Sequence, residues 1–181
     1  MAPVGMNLFY QRVNMATWHR FIAAPADYKA PYFWFKWLLL AVILGIPIGL
    51  ASGGFLMSLQ WVTDFRKANT NQILWGLPLA GLLIGYGYHR YGKQVVKGNN
   101  LLFEETYAPQ KRIPFRMAPM VYLGTILTHL FGGSAGREGT AVQMGGAIAD
   151  LLYPLLKPDA ETRRLLITGG VAAGFSGVFG T

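Results

Sequence analysis

Residues 37–63 carry no charged side chain. Residues 68–88 carry none either, and in residues 117–136 only His129 titrates near neutrality. Each tract approaches the ~20 residues a helix needs to cross about 30 Å of hydrocarbon. A buried helix of a soluble protein would show a polar face at helical spacing, and these tracts show almost none. The chain therefore reads as an all-α, polytopic membrane protein. Composition agrees: 13% of the 181 residues are charged, against about 25% in soluble domains.

The net charge of +8 could suggest a nucleic-acid partner, but its distribution points to topology. Arg12, Arg20, Lys29 and Lys36 precede the first tract, and Arg90, Lys93, Lys97, Lys111, Arg112 and Arg116 lie between the second and third. Only Arg66 and Lys67 separate the first from the second. Lys and Arg collect on the cytoplasmic side, so the N-terminus is expected inside and no nucleic acid is expected as a partner. Disulfides and thiolate metal sites are excluded by the lack of cysteine.

Along the chain, residues 1–36 read as a cytoplasmic, amphipathic N-terminal segment and residues 37–181 as the membrane domain. Spanning helices are expected at about 35–64, 72–90 and 117–131. Gly45, Gly49 and Gly53 recur every four residues and predict one close-packing helix face. A short helix is expected to begin near Asn99 or Asn100, capped by asparagine, with Glu104 and Glu105 as early-turn charges. Arg66, Lys67, Arg163 and Arg164 read as interface anchors. The last apolar run stops without a cap or polar tail, which suggests truncation.

Chemistry concentrates in Gly132-Gly133-Ser134-Ala135-Gly136-Arg137-Glu138-Gly139-Thr140. An ionisable pair between apolar tracts marks a functional site, because a charge at membrane depth costs about 2.5 to 3.5 kcal/mol on insertion scales. The glycines interrupt the helix, and residues 140–149 make a half-helix about 15 Å long. Such a half-helix aims its open N–H groups and positive dipole end at the bilayer interior, where they can hold an anion. A Walker A loop is excluded, since no lysine follows these glycines at the required spacing. A dinucleotide fingerprint would need a preceding soluble strand. The competing reading is a packing loop in which Arg137 and Glu138 pair with each other.

Gly136-Arg137-Glu138-Gly139-Thr140, continued by Ala141-Val142-Gln143-Met144-Gly145-Gly146, resembles the Gly-Arg/Lys-Glu-Gly-Pro signature of the CLC family of chloride channels and anion/proton antiporters. Residues 168–175, Thr-Gly-Gly-Val-Ala-Ala-Gly-Phe, are similar to the family's Gly-Ala-Ala-Ala-Gly stretch. The resemblance implies a fold of two inverted repeats with broken helices, of which this chain is a truncated first half. It also implies a homodimer when full length, in a prokaryotic cell membrane. Glu138 takes the role of gating and proton-accepting glutamate, and Gly136, Arg137, Gly139, Thr140 and Ala141 join the anion site, with backbone N–H groups of the last three as donors. The family's proline is replaced by Thr140. The chloride-type Gly-Ser-Gly-Ile-Pro stretch corresponds to Gly98-Asn99-Asn100-Leu101-Leu102, with Asn99 opposite the serine. Both departures are similar to the bacterial fluoride/proton antiporter branch, which brings Asn99 and Asn100 into the site, although both asparagines also suit a helix cap.

These readings lead to transport of a small halide, fluoride ahead of chloride, coupled to proton antiport across a lipid bilayer. A chloride channel or chloride/proton antiporter, and a non-transporting fragment, are the alternatives. No cofactor or metal is expected, and without a nucleophile–base–orienter set no enzyme activity. His129 reads as a packing residue ahead of a proton relay.

Overall fold

The computed structural model describes residues 31–107, 111–156 and 159–180, and among them every regular element is helical. Helix α1 spans Pro31–Ala68, α2 Thr70–Ile73, α3 Leu77–Tyr91, α4 Asn99–Tyr107, α5 Met117–Leu130, α6 Arg137–Asp150, α7 Tyr153–Leu156 and α8 Ala160–Phe179. Single 3₁₀ turns at Leu74–Gly76 and Val95–Lys97 precede α3 and α4. Most of the expected N-terminal segment, residues 1–30, lies outside the described residues. The chain divides between Leu40 and Ala41 into two compact units, and the site lies wholly in the second.

By length and composition α1 is the one described helix able to cross a bilayer alone. It continues through Pro47. The other two expected spans are shorter than the uncharged tracts that predicted them. The second is broken by the 3₁₀ turn, and Pro78 sits in the first turn of α3, where its missing N–H costs nothing. The third, α5, has 14 residues, about 20 Å of helix. It ends at Gly132, whose φ of +86° favours glycine.

The tightest packing joins α6 to α8. A methyl group on Gly145 would collide with the Gly170 carbonyl oxygen, and one on Gly170 would lie 2.6 Å from the Gly145 carbonyl oxygen. Gly174 meets the Ala141 carbonyl in the same way. Among the described residues nothing lies within 4 Å of a side chain built at Gly45, Gly49 or Gly53 on α1. Instead α1 packs through Phe55, whose ring centroid is 5.5 Å from that of Tyr122 on α5, and through Ser58, hydrogen-bonded to the Tyr122 hydroxyl at 2.6 Å. Phe55, Leu59, Leu102, Met117, Val121, Met144 and Ile167 share one buried core. The outer face of α1, with Leu39, Val42, Ile46, Leu50 and Met57, is exposed.

Candidate functional site at two helix starts

Helix α6 begins at Arg137, three residues earlier than expected, because Gly136 is extended (φ −70°, ψ 121°) and the helical dihedrals start directly after it. Glu138 therefore sits in the first turn. The amides without an intrahelical partner belong to Gly136, Arg137, Glu138 and Gly139, while the Thr140 N–H is bonded back to the Gly136 carbonyl at 3.4 Å. Thr140 is buried and Ala141 is completely so. Of the expected donors Gly139, Thr140 and Ala141, the helix leaves only the Gly139 amide without an intrahelical partner. No side chain caps this end, so the dipole's positive end stays open.

Helix α4 starts beside it. Gly98 (φ +55°, ψ −133°) takes a conformation natural to glycine and turns the chain into α4, placing Asn99 and Asn100 in the first turn rather than at the cap. The Asn99 amide nitrogen lies 3.8 Å from the position a Gly139 side chain would fill, and the Gln143 amide nitrogen 3.6 Å from that of Gly98. Further along, a methyl on Gly146 would meet Leu102 Cδ2. Asn99 lies by Gly139 and Leu102 by Gly146, so the contacts move in the same direction along both helices and the N-termini of α4 and α6 lie at the same end.

A cavity of about 390 Å³ opens at this end, lined by Tyr88 of α3, Gly124, Thr125 and Thr128 of α5, and Gly136, Gly139, Thr140 and Gln143. Its lining is mixed, with Ile84, Val121 and Ala135 beside the hydroxyls and amide, and contains no charged side chain. The Thr140 hydroxyl donates to the Gly136 carbonyl at 3.0 Å, so the 2.7 Å contact between the Thr125 and Thr140 hydroxyls has Thr125 as donor. Thr128 donates to the Gly124 carbonyl. His129 donates from Nδ1 to the Thr125 carbonyl at 2.9 Å, a bond within its own helix. Tyr88 and Gln143 were not singled out in the sequence; only the parallel arrangement of α4 and α6, and α3 beside α5, brings them here.

Arg137, Glu138, Asn99 and Asn100 are exposed in the chain. Among the described residues neither Arg137 nor Glu138 has a hydrogen-bond or ion-pair partner, so the expected alternative in which they pair with each other is not formed. Glu138 is one residue from Gly139 of the cavity lining.

The other end of α6 differs. Asp150 is 4% exposed, and both its oxygens accept from Arg163 of α8, Oδ1 from Nε at 2.7 Å and Oδ2 from Nη2 at 2.9 Å. Arg163 Nη1 reaches Glu105 of α4 at 3.3 Å, and Nη2 also donates to the Lys111 carbonyl at 2.7 Å. The Ile113 N–H donates to Asp150 and the Lys111 N–H to Glu105. The guanidinium lies 5.1 Å from the Tyr153 ring centroid. Arg163 is therefore a buried ion-pair centre instead of an interface anchor, and Glu105 is its partner instead of a free early-turn charge. Glu104 does stay at the surface, paired with Lys97 at 2.6 Å. The two Arg163 carboxylates lie far from it in sequence, which is why spacing alone did not reveal them.

The family model described as voltage gated chloride channel matches residues 80–181. A chloride/fluoride channel protein of Pseudomonas syringae pv. tomato is 49% identical over 81% of this chain and 32% of its own length. An H(+)/Cl(−) exchange transporter of Cronobacter sakazakii is 32% identical over 78% of this chain and 33% of its length. The crystal structure of a CLC-type fluoride/proton antiporter superposes with a TM-score of 0.76 at 38% identity, covering 84% of this chain and 38% of that one. The chain thus spans about a third of the length of the curated relatives it matches, and its all-α broken-helix fold is part of a CLC-type membrane fold. Signature, fold and relatives agree, and the chain belongs to the voltage gated chloride channel family.

Proposed function

We propose that this chain forms one wall of a pathway exchanging a small halide, fluoride ahead of chloride, against protons, with Glu138 as the group that gates the anion and accepts the proton. The observation that carries the reading is the cavity without charged side chains at the open amide end of α6, with the Asn99 amide alongside. Open N–H groups and a helix dipole stabilise an anion without a fixed counter-charge, so the ion is held and still able to leave. A deprotonated Glu138, attached to the same first turn, competes for those donors. Protonation removes the competition and loads the proton in one event.

Fluoride is placed ahead of chloride because Asn99 offers N–H donors, two per amide, to a small and strongly hydrated anion. The relative of higher identity is described as a chloride/fluoride channel protein, which supports the same order. The transporter at 32% identity is described as exchanging chloride, and this keeps chloride as the second reading. The N-terminus faces the cytoplasm of the cell membrane, and the full-length protein is a homodimer. Residues 37–181 constitute the membrane domain.

The test uses the full-length protein in liposomes, with fluoride and chloride electrodes and a pH electrode. A fluoride gradient is expected to drive proton movement, and Glu138→Gln to abolish that movement while anion flux continues. Proton movement that survives Glu138→Gln would remove Glu138 from the mechanism. Chloride flux exceeding fluoride flux in the unmodified protein would reverse the substrate order.

A further inference from the structure

The buried group of Glu105, Asp150 and Arg163 takes no part in the transport steps above. It lies at the end of α6 opposite the cavity, about 20 Å away along a 14-residue helix. We propose that Arg163 is a positioning residue for the anion site: it sets the axial register between α4 and α6, and with it the spacing between Asn99 and the open amides of Gly136 to Gly139. The inference rests on the anion-site reading above.

Gly98 faces Gln143, Leu102 faces Gly146, and Glu105 meets Asp150 through Arg163. With Asn99 beside Gly139, these pairs run in the same direction along both helices, although their offsets differ too much for contact alone to fix one register. Between the two ends the contact is Leu102 on a glycine, which is apolar and non-directional, so it resists separation better than sliding. The directional tie is the Arg163 fork, which holds Asp150 through two N–H groups and Glu105 through a third. Arg163 and both carboxylates also bind backbone at Lys111 and Ile113, in the segment leading into α5. Helix α5 carries Thr125, bonded to Thr140 at the cavity. Three elements of the site are therefore referenced to one guanidinium.

Stability alone accounts poorly for the arrangement. Replacing a buried ion pair with apolar residues of similar volume is often neutral or stabilising, whereas a planar fork with fixed donors defines distance and angle. An error of about 1 Å at a site far from the chemistry can cost up to 100-fold in function.

The experiment measures fluoride dependence of flux in the full-length protein, with fluoride binding by calorimetry in detergent as a second readout. Arg163→Lys keeps the charge but contacts one carboxylate oxygen at a time. It is expected to raise the half-saturating fluoride concentration about 10-fold, with maximal flux within about twofold. Glu105→Gln keeps both acceptor contacts and is expected to stay within about twofold of the parent. Asp150→Asn should shift fluoride affinity in the same direction as Arg163→Lys. The proposal is overturned if Arg163→Lys and Asp150→Asn lower the melting temperature while fluoride affinity is unmoved. It is equally overturned if neither variant folds, since the network would then serve stability. An unmodified protein that moves and binds no halide would instead sink the anion-site reading itself.

Discussion

The two ends of α6 follow opposite rules. Its N-terminal turn leaves four amides open, has no capping side chain, and presents Arg137 and Glu138 without partners among the described residues. Its C-terminal turn ends in an aspartate, an unfavourable charge for the negative end of a helix dipole, and Arg163 compensates it in a closed, hydrogen-bonded network. Between them the helix is buried on small residues: Ala141, Gly145, Gly146, Ala147 and Ala149. A single element thus carries its rigidity at one end and its unsatisfied binding capacity at the other. Capacity to bind an anion comes from leaving donors unpaired, and leaving donors unpaired is tolerable only where the rest of the helix is held firmly.

Breaking the closed end should have the largest effect on stability. Arg163→Met leaves two buried carboxylates uncompensated, and breaking such a group by removing one partner costs about 3 to 5 kcal/mol; denaturant unfolding of the full-length protein in detergent would read it. Next comes the middle of the helix. Gly170→Val drives a branched side chain into Ala149 and the Gly145 carbonyl, and overpacking of this kind costs roughly 1 to 3 kcal/mol. Gly49→Ala on α1 meets open space and is expected to leave the same unfolding curve unmoved or slightly improved, since alanine is the better helix former. At the edge of the cavity, Thr140→Val removes the hydroxyl shared by Thr125 and the Gly136 carbonyl, a loss of about 1 kcal/mol. At the open end Glu138→Gln should leave the melting temperature where it was while abolishing proton coupling. A large drop in stability from Glu138→Gln would erase the contrast between the two ends.

Much of the fold was legible because membrane solvent is strict. Uncharged tracts, a glycine-broken segment and the Arg137-Glu138 dipeptide mark helices, a break and a site before any contact is known. The interruption among Gly132, Gly133, Gly136 and Gly139 was expected, but α6 starts three residues earlier, at Arg137, since glycine content shows where a helix can stop and not which dihedral resumes it. The glycines of α1 show a related limit. Periodicity places Gly45, Gly49 and Gly53 on one face, but nothing local says whether a neighbour lies against that face. In this chain the close approach occurs at Gly145, Gly170 and Gly174 instead.

What the amino-acid order determined by itself is the solvent, the helical class, the glycine-broken segment ahead of α6, and the chemical type of the residues there. All of these depend on interactions within a few residues or with a uniform surrounding phase. Only the tertiary structure decided that Asn99 stands beside Gly139, that Gln143 and Tyr88 line the same cavity, and that Arg163 is buried against Asp150 and Glu105. Those pairings join residues up to 58 positions apart. They are set by which helix faces fit together, a property of packing that no local spacing encodes.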